Sequence, residues 1–334
     1  MKYSIIVPVF NRPNEVDELL ESLCQQTVKD FEVLIVEDGS QRDSLAVVEK
    51  YAGKLDVKYF KKPNSGPGQS RNYGAERASG DWLIILDSDV VLPKGYMESV
   101  EKGLSATATE KGPIAACGGP DASHPSFTPI QKAISYSMTS FFTTGGIRGG
   151  KAKLDKFYPR SFNMGIRRDV YQQLGGFSKM RFGEDIDFSY RIVEAGYRPV
   201  LIPEAWVWHK RRTDFRKFFR QVYNSGIARI NLEKRHPGTL KLVHLLPTVF
   251  TLGVALLLLL SLVWPLACVP ILLYSLLLLL DSSIQNRSLW VGLLSVPAAF
   301  VQLTGYGLGF IESWWKRCVL HQDEFTAFEK NFYS

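Results

Sequence analysis

The distribution of apolar residues constrains this chain more than any other feature. Two runs in the rear part, Leu245–Leu280 and Leu289–Ile311, contain no charged residue, whereas charged residues are interspersed throughout the chain before Lys241. The first run has 36 residues, which is too long for one membrane crossing of roughly 20 residues and about right for two. The sequence therefore predicts a soluble front part followed by a membrane-embedded rear part.

The number of crossings stays open. Trp264-Pro265 predicts the turn of a helical hairpin within the first apolar run. Leu289–Ile311 is long enough for a third crossing, although it contains Gln302 and several glycines. Lys316-Arg317 follows it and by charge would prefer the cytoplasm, whereas three crossings would place this pair outside. The sequence is thus compatible with two or three transmembrane helices.

A basic stretch lies directly before the apolar region. Ten Lys or Arg residues and only two acids occur between Lys210 and Lys241. Because the membrane segment follows at once, this pattern favours an anionic cytoplasmic membrane surface over a solvated basic surface or a nucleic-acid patch. Thr213–His236 has apolar residues at helical intervals and a basic opposite face, which predicts an amphipathic helix on the membrane interface or on the front domain. We expect a multi-pass protein of the inner (plasma) membrane with its front domain in the cytoplasm, membrane lipids as partners and no nucleic acid.

Strands alternate with helical patterns in the front part. The predicted strands are Tyr3–Val9, Phe31–Val36, Val57–Phe60 and Trp82–Leu86. This alternation predicts βαβ units and a mostly parallel, doubly wound α/β sheet, in which ligands bind beyond the carboxyl ends of the strands. Glu37-Asp38 and the pair Asp87 and Asp89 come at two such ends, so we expect them to line one crevice. Farther along, the Gly-, Ser- and Thr-rich stretch Thr139–Gly150 is interpreted as a mobile loop.

Acids at positions i and i+2 beyond a strand suit a hard divalent cation. Mg²⁺ and Mn²⁺ prefer carboxylate oxygens and can bridge the phosphates of a nucleotide, so Asp87 and Asp89 could reach a ribose and a metal from one short loop. Solvated turn acids are the alternative. An EF-hand is excluded because no further acids follow at the required spacing.

Other classes fit the sequence poorly. The four cysteines are isolated, which indicates a reducing compartment and neither a disulfide framework nor a zinc site. Gly66-Pro67-Gly68 is no GxGxxG fingerprint and argues against a dehydrogenase. The two apolar runs contain no ionisable acid or base, which argues against a transporter.

Several short motifs occur together in one order. They are Ser4-Ile-Ile-Val-Pro-Val-Phe-Asn11, Val36-Glu-Asp-Gly-Ser40, Arg71-Asn72, Leu86-Asp-Ser-Asp89, Gly183-Glu-Asp-Ile-Asp187 and Trp208-His209. Each motif is weak alone, but the set resembles glycosyltransferase family 2, the inverting enzymes with a GT-A fold. The resemblance covers about residues 2–230. It implies a Rossmann-like nucleotide-sugar-binding domain ahead of C-terminal transmembrane helices, as in bacterial enzymes of cell-envelope polysaccharide assembly.

The resemblance also implies roles for residues that would bind the nucleotide sugar. Pro8 and Asn11 would lie in the loop beside the nucleotide. Asp38 matches the acid that contacts the base, although the common Asp-Asp-Gly-Ser motif begins here with a glutamate. Arg71 matches a basic residue near the nucleotide, and Asp87 would face the ribose.

Three further positions would carry the chemistry. The resemblance implies that Asp89 binds the divalent metal, Mn²⁺ or Mg²⁺, that holds the diphosphate. Asp185 matches the general base that deprotonates the acceptor hydroxyl. His209 lies where some members of the family have another metal or phosphate contact. A histidine that is simply packed beside Trp208 is the alternative.

The expected function is transfer of one sugar from a nucleotide-diphosphate-sugar donor to a hydroxyl of a glycan or lipid-linked acceptor. The sequence contains no Gln-x-x-Arg-Trp motif. The nearest candidate, Gln221-Val-Tyr-Asn224, has an asparagine where the motif has its arginine. In the family this motif marks processive synthases, so its absence implies a single transfer. Two alternatives remain, namely a polyprenyl-phosphate glycosyltransferase resembling dolichol-phosphate mannose synthase and a non-catalytic nucleotide-sugar-binding scaffold. The expected domains are a catalytic domain (1–208), a basic juxtamembrane segment (209–241), a transmembrane region (242–311) and a tail (312–334).

Overall fold

A computed structural model describes residues 2–107, 114–124, 126–144, 157–210 and 212–328. The chain divides into two compact units. One comprises Met1–His124 and Lys156–His209, and the other comprises Pro125–Asp155 and Lys210–Ser334. After the domains expected from the sequence, they are called the catalytic unit and the membrane unit. Residues 126–144, which lie between β7 and β8 along the chain, are therefore grouped with the helices of the rear part.

The strands within the described ranges are β1 (Tyr3–Val9), β2 (Phe31–Asp38), β3 (Asp56–Lys62), β4 (Trp82–Leu86), β5 (Val90–Val91), β6 (Ile114–Gly118), β7 (Asp121–Ala122), β8 (Asn163–Arg167), β9 (Arg198–Leu201) and β10 (Val207–His209). The helices there are α1 (Pro13–Cys24), α2 (Leu45–Glu49), α3 (Pro67–Ala75), α4 (Tyr96–Thr107), α5 (Pro129–Thr139), α6 (Phe141–Thr144), α7 (Arg168–Gln173), α8 (Glu184–Glu194), α9 (Phe215–Arg235), α10 (Leu246–Ser261), α11 (Val269–Asn286) and α12 (Leu289–Trp314).

The catalytic unit is built on a seven-stranded sheet of order β3-β2-β1-β4-β8-β6-β9. Its strand pairs are parallel except for the two that involve β8. A smaller sheet has the order β5-β10-β7, with β10 antiparallel to β5 and parallel to β7. The prediction of a mostly parallel sheet is thus confirmed, and four predicted strands are present.

Alternating side chains of the strands supply two separate cores. On β1, Ile5 and Val7 join the core that contains the apolar side chains of α1 and α4, whereas Ile6 joins the core that contains those of α3, α7 and α8. This alternation follows from the two-residue period of a strand. Helices therefore cover both faces of the sheet, as the doubly wound pattern predicts, and the carboxyl ends of the strands remain for the site.

Three helices of the membrane unit are long and apolar enough to cross a membrane, as judged by length and composition within the described residues. They span Leu242–Ser261, Pro265–Asn286 and Leu289–Val319. The expected hairpin turn at Trp264-Pro265 separates the first two.

Glycines set the close packing around α12. A Cβ atom at Gly307 would lie 2.2 Å from Thr251 Oγ1 of α10, and one at Gly292 would lie 2.0 Å from Ser283 Oγ of α11. Small residues of this kind let helix backbones approach closely, as is common between membrane helices.

One sequence interpretation needs correction, and one helix contact was not predicted. The sequence predicts a mobile loop at Thr139–Gly150, but α5 extends to Thr139 and Phe141–Thr144 forms α6, where the Ser140 carbonyl accepts from the N–H groups of Thr143 and Thr144. Residues 145–150 lie outside the described ranges. The amphipathic helix α9 packs part of its apolar side on α12, a partner that the sequence interpretation did not include.

Candidate active site

A short loop after β4 forms the centre of the candidate site. β4 ends at Leu86, and Asp87 and Asp89 follow before β5 begins at Val90. β5 pairs with β10 so that Val90 lies opposite His209. This pairing brings a histidine that is 120 positions away along the chain next to Asp89, and one ligand atom each of Asp87, Asp89 and His209 lie within 4.8 Å of one another.

The three side chains fit a divalent cation. His209 Nε2 lies 3.3 Å from Asp89 Oδ1, and the imidazole stacks on the Phe162 ring with centroids 4.9 Å apart. Its other ring nitrogen, Nδ1, is buried and has no hydrogen-bond partner within the part of the chain that the structure describes. Two carboxylates suit Mg²⁺ or Mn²⁺, and an imidazole is compatible with a transition metal. These residues could therefore hold such an ion.

Two arginines neutralise the carboxylates of this loop. Arg12 forms an ion pair with Asp89 Oδ2, and Arg71 Nη2 donates to Asp87 Oδ1 over 2.8 Å. Arg12 follows β1 and Arg71 lies on α3, so both come from the carboxyl-end side of the sheet. Each aspartate therefore uses one oxygen for a guanidinium, and Asp89 directs the other toward His209.

The Arg71 guanidinium is enclosed between two acids. Its Nη1 donates to Glu184 Oε1 over 2.8 Å, and its Cζ lies 5.2 Å from the centroid of the Phe177 ring. The side chain is only 3% exposed. Burial opposes the charge, but Asp87 and Glu184 outweigh this effect and raise the pKa of Arg71. Arg71 therefore connects the loop after β4 to the first turn of α8.

Asp185 lies next to Glu184 in that turn and is held by a different arginine. Arg160 Nε donates to Asp185 Oδ2 over 2.6 Å, and the backbone N–H of Ile186 donates to Oδ1. Burial alone would raise the pKa of Asp185, but the charge and hydrogen bond of Arg160 hold it below its ordinary value. For Glu184 the burial effect prevails, and with the nearby Asp185 charge it raises the pKa in spite of Arg71. The pKa values of the two neighbouring carboxyls are thus shifted in opposite directions, upward for Glu184 and downward for Asp185.

Asp38 binds the turn that precedes α3. Its Oδ1 accepts from the backbone N–H of Ser65 over 2.8 Å, and its Oδ2 accepts from that of Gly66 over 2.9 Å. Lys62 forms an ion pair with the same carboxylate, which is almost completely buried. Gly66 has a φ of +90°, a left-handed conformation that favours glycine. Asp38 therefore fixes the start of the helix that carries Arg71.

Asn11 organises the loop between β1 and α1. Its side-chain oxygen accepts from the backbone N–H groups of Gln41 and Arg42 over 2.9 and 3.0 Å, and its own N–H donates to Ser40 Oγ. Its φ of +56° lies in the left-handed region, which asparagine tolerates better than most residues. Pro8 is half-buried near the end of β1. Both lie at the carboxyl end of this strand.

The structure thus arranges the expected site residues in separate groups. Asp87, Asp89 and His209 come together, Arg71 joins that group to the turn of Asp185, and Asp38 and Asn11 bind loop backbone. Sequence reasoning missed three cations, which are Arg12, Lys62 and Arg160. Arg12 and Asp89 are 77 positions apart, and no spacing rule could have paired them.

The comparison with protein-family models matches residues 4–175 to glycosyl transferase family 2. This match covers more than half of the chain, from β1 to the end of α7. The chain belongs to glycosyltransferase family 2, which confirms the family expected from its motifs.

Individual relatives cover less of the chain. An uncharacterized glycosyltransferase of Rickettsia felis is 40% identical over 97 residues, 29% of this chain and 16% of the relative. The poly(ribitol-phosphate) beta-N-acetylglucosaminyltransferase TarS of Staphylococcus aureus is 39% identical over 98 residues, 28% of this chain and 17% of the relative. The matches thus span about a sixth of the length of these curated relatives.

A solved structure resembles nearly the whole chain. It is the mannosyltransferase PcManGT from Pyrobaculum calidifontis, solved in complex with GDP-Man and Mn²⁺. It covers 95% of this chain and 88% of its own, with a TM-score of 0.66 and 14% identity. At this identity the likeness shows the fold alone. The expected GT-A fold is confirmed, and the three apolar helices follow it in the chain.

Proposed function

We propose that this protein is an inverting, metal-dependent glycosyltransferase that moves one sugar from a nucleotide-diphosphate-sugar to a hydroxyl of a lipid-linked or cell-envelope glycan. The observation that carries the proposal is the arrangement at the carboxyl ends of the strands. A potential metal group, Asp87, Asp89 and His209, is joined through Arg71 to the turn that holds Asp185. Arg71 thus links the residues that we assign to the donor with the turn that we assign to the base.

Asp89 and His209 would bind the divalent ion, and Asp87 would face the donor ribose. When bound, the ion would offset the negative charge that develops on the leaving diphosphate. PcManGT, which has the same fold, was solved with GDP-Man and Mn²⁺, and this supports a nucleotide-sugar donor and Mn²⁺ for the present chain. His209 Nε2 lies 3.3 Å from Asp89 Oδ1, and this short separation supports a shared ligand role for the two side chains.

Asp185 would accept the proton of the attacking hydroxyl. The acceptor oxygen forms a bond to the anomeric carbon while the bond to the diphosphate breaks, and a single displacement inverts the configuration. A base must lie within hydrogen-bond reach of the hydroxyl, so the Arg160 contact with Asp185 Oδ2 has to leave an oxygen accessible or yield to the acceptor. The side chain is 10% exposed, which is compatible with access from the crevice.

One observation favours a second candidate, transfer to a polyprenyl phosphate. A phosphate oxygen is already a nucleophile and needs no base, and Arg160 places a cation beside Asp185 where an anionic acceptor would be stabilised. The lowered pKa of Asp185 also makes it a weaker base. In this alternative Arg160 binds the acceptor and Asp185 orients Arg160.

Two variants, assayed in the same way, distinguish a hydroxyl acceptor from a phosphate acceptor. Asp185→Asn keeps the size of the side chain but cannot take a proton, whereas Arg160→Met removes the cation. With a hydroxyl acceptor the first variant should lose far more transfer than the second. With a phosphate acceptor the order should reverse. Hydrolysis of a panel of nucleotide sugars, with Mn²⁺, with Mg²⁺ and with chelator, identifies the donor first. Absence of turnover with every sugar and metal would favour the non-catalytic scaffold.

The three apolar helices support anchoring in the inner membrane, and the basic stretch from Lys210 to Lys241 supports a cytoplasmic catalytic unit. Nucleotide sugars are made on that side. A cysteine introduced at Ser105, which is exposed on α4, should resist an impermeant thiol reagent on intact cells and react in inverted vesicles. Labelling on intact cells would contradict this orientation.

A further inference from the structure

The amphipathic helix α9 cannot cross a membrane. Charged residues occur near both of its ends, and the longest uncharged run between them is Gln221–Ala228, eight residues. Eight helical residues are about 12 Å long, whereas the hydrocarbon core is about 30 Å thick. In a membrane-anchored chain the whole of α9 therefore stays on one face of the bilayer, and it serves as a reference for the rest of the membrane unit.

The chain enters the apolar region while bound to α9. Glu233, near the end of α9, accepts from the backbone N–H groups of Gly238 and Leu240 over 2.9 and 2.6 Å. Arg229 Nη1 lies 3.4 Å from His244 Nε2, just before α10 begins. These contacts hold the start of the first apolar helix on the face of α9.

The last turns of α12 are in backbone contact with α9. A Cβ atom at Gly226 of α9 would lie 2.2 Å from the Tyr306 carbonyl oxygen, and one at Gly309 would lie 2.0 Å from the Tyr223 carbonyl oxygen. Tyr223 also donates its hydroxyl hydrogen bond to Glu312. The end of the third apolar helix therefore lies at the depth of α9.

The residues after α12 remain on the same helix. The Asn224 side chain donates to the carbonyl of Ala327 over 3.1 Å and accepts from its N–H over 2.9 Å. Its amide thus satisfies both backbone groups of one residue of the tail. Arg235 Nη2 forms an ion pair with Glu324 over 2.8 Å. The tail thus follows α9 from its last turn back to its middle.

We infer that the three apolar helices cross the membrane an even number of times: α10 and α11 supply two crossings and α12 supplies none. A chain that enters and leaves on one face must cross an even number of times. The buried share of the most apolar stretch in each helix agrees with this topology. It is 0% for the first helix, 17% for the second and 44% for the third. The lipid-facing surface is thus the hairpin, whereas the stretch that contains α12 has the largest buried share of the three.

This topology also accounts for the charge pair Lys316-Arg317. With three crossings these cations would lie outside, against the positive-inside tendency. With two they lie on the face of α9, together with the basic residues of that helix. The inference rests on the membrane anchoring in the proposed function and not on the transfer reaction.

Single-cysteine variants of the full-length protein test the inference. Cys24, Cys268 and Cys318 are changed to serine, and Cys117, which is buried, is retained. The reporters are Lys234→Cys on α9, Asp323→Cys in the tail and Val263→Cys in the hairpin turn, all at exposed positions. An impermeant maleimide is applied to right-side-out and to inverted vesicles.

Lys234→Cys and Asp323→Cys should react from the same side, and Val263→Cys should react from the opposite side. Reaction of Asp323→Cys on the side opposite to Lys234→Cys would overturn the even number of crossings. Reaction of Val263→Cys on the same side would overturn the assignment of two crossings to the hairpin. Alkaline extraction of the same vesicles tests anchoring, and release of the protein would refute anchoring and this topology together. Inactive protein with the expected labelling would count against the proposed transfer activity alone and would support the topology.

Discussion

Glu32 at the amino end of the central sheet and three acids near its carboxyl end are held by different kinds of donor. At the amino end, Glu32 Oε1 accepts from Ser4 Oγ over 2.6 Å, from the Ser79 N–H over 2.6 Å and from Ser79 Oγ over 2.7 Å, and Lys58 pairs with Oε2. At the carboxyl end, Asp87, Asp89 and Asp185 are each held by an arginine.

This difference in donors indicates different roles for Glu32 and for the three arginine-held acids. Short hydroxyl and backbone donors satisfy Glu32 in place and leave no position for a ligand. Arginine side chains are long, and a metal ion, a phosphate or an acceptor can replace or share their contacts. Glu32 therefore stabilises the fold, as does Asp38, which backbone N–H groups hold at the other end. The three arginine-held acids are the ones that we expect to take part in chemistry. The following substitutions test this separation.

The largest effect is expected from Asp89→Ala. Loss of this ligand should lower transfer by about a thousandfold or more, because metal binding contributes several kcal/mol to stabilising the transition-state charge. Titration of the purified variant with Mn²⁺ should show weakened binding independently of activity. Asp323→Ala, which removes an exposed acid of the tail, is the matched control. Full activity of the wild type in excess chelator would contradict the metal assignment.

Asp185→Asn should come next, with transfer lowered by about 10²- to 10⁴-fold, the range for loss of a positioned base. Donor affinity measured by calorimetry should hardly change, because the donor contacts are assigned to other residues. Asp169→Asn is a control, since this acid also lies in the first turn of a helix but is exposed and pairs with Arg167. A rate near that of the wild type would remove Asp185 as the base and favour the phosphate acceptor.

Arg71→Lys should have a smaller effect, about 10- to 100-fold on transfer or on donor affinity, a range like that for residues that orient the ligands of a site. A lysine keeps the charge but has no planar fork with which to hold Asp87 and Glu184 at once. Arg77→Lys, at an arginine just beyond α3 that pairs with Glu76, should leave both quantities unchanged. Equal behaviour of the two variants would show that the connection through Arg71 is not needed.

Glu32→Gln should leave the transfer rate of the folded protein unchanged and lower its free energy of unfolding by about 2 kcal/mol, through loss of charged hydrogen bonds. Burial acts to raise the pKa of Glu32, but the hydrogen bonds from Lys58, Ser4 and Ser79 outweigh it and lower the pKa to about 2, from 4.5.

A lowered pKa means that the folded state binds the proton less tightly than the unfolded state. The stability from Glu32 is therefore complete above pH 4.5 and is lost as the pH falls toward 2. Thermal unfolding of wild type and variant across this range should show a difference that shrinks in acid. A constant difference, or a loss of activity in folded Glu32→Gln, would contradict the separation between Glu32 and the arginine-held acids.

Local patterns predicted much of the architecture. The strand Trp82–Leu86, the acids after it and the start of α8 at Glu184 are read directly from runs, turns and capping positions. The fold and the family followed from motifs that keep their order along the chain. The short helix Phe141–Thr144 was missed because four residues rich in Thr and Phe carry no helical period.

The partners of the site residues could not be predicted in the same way. Arg71 was expected near the nucleotide through the resemblance, and that role stays a prediction. The structure adds that this side chain is enclosed by Asp87 and Glu184, which are 16 and 113 positions away along the chain. Arg160 belongs to no motif, yet it determines the pKa direction of Asp185.

The sequence by itself determined four strands of the large sheet, the long apolar helices and the positions where acids end a strand, because these properties depend on periodicity and composition over a few residues. Only the tertiary structure decided which cation faces each acid, since that depends on strand pairing such as that of Val90 with His209. It also decided that both ends of the apolar region meet on α9. Charge and length alone left two or three crossings equally open, because the contacts that distinguish them join residues about 100 positions apart, such as Asn224 and Ala327.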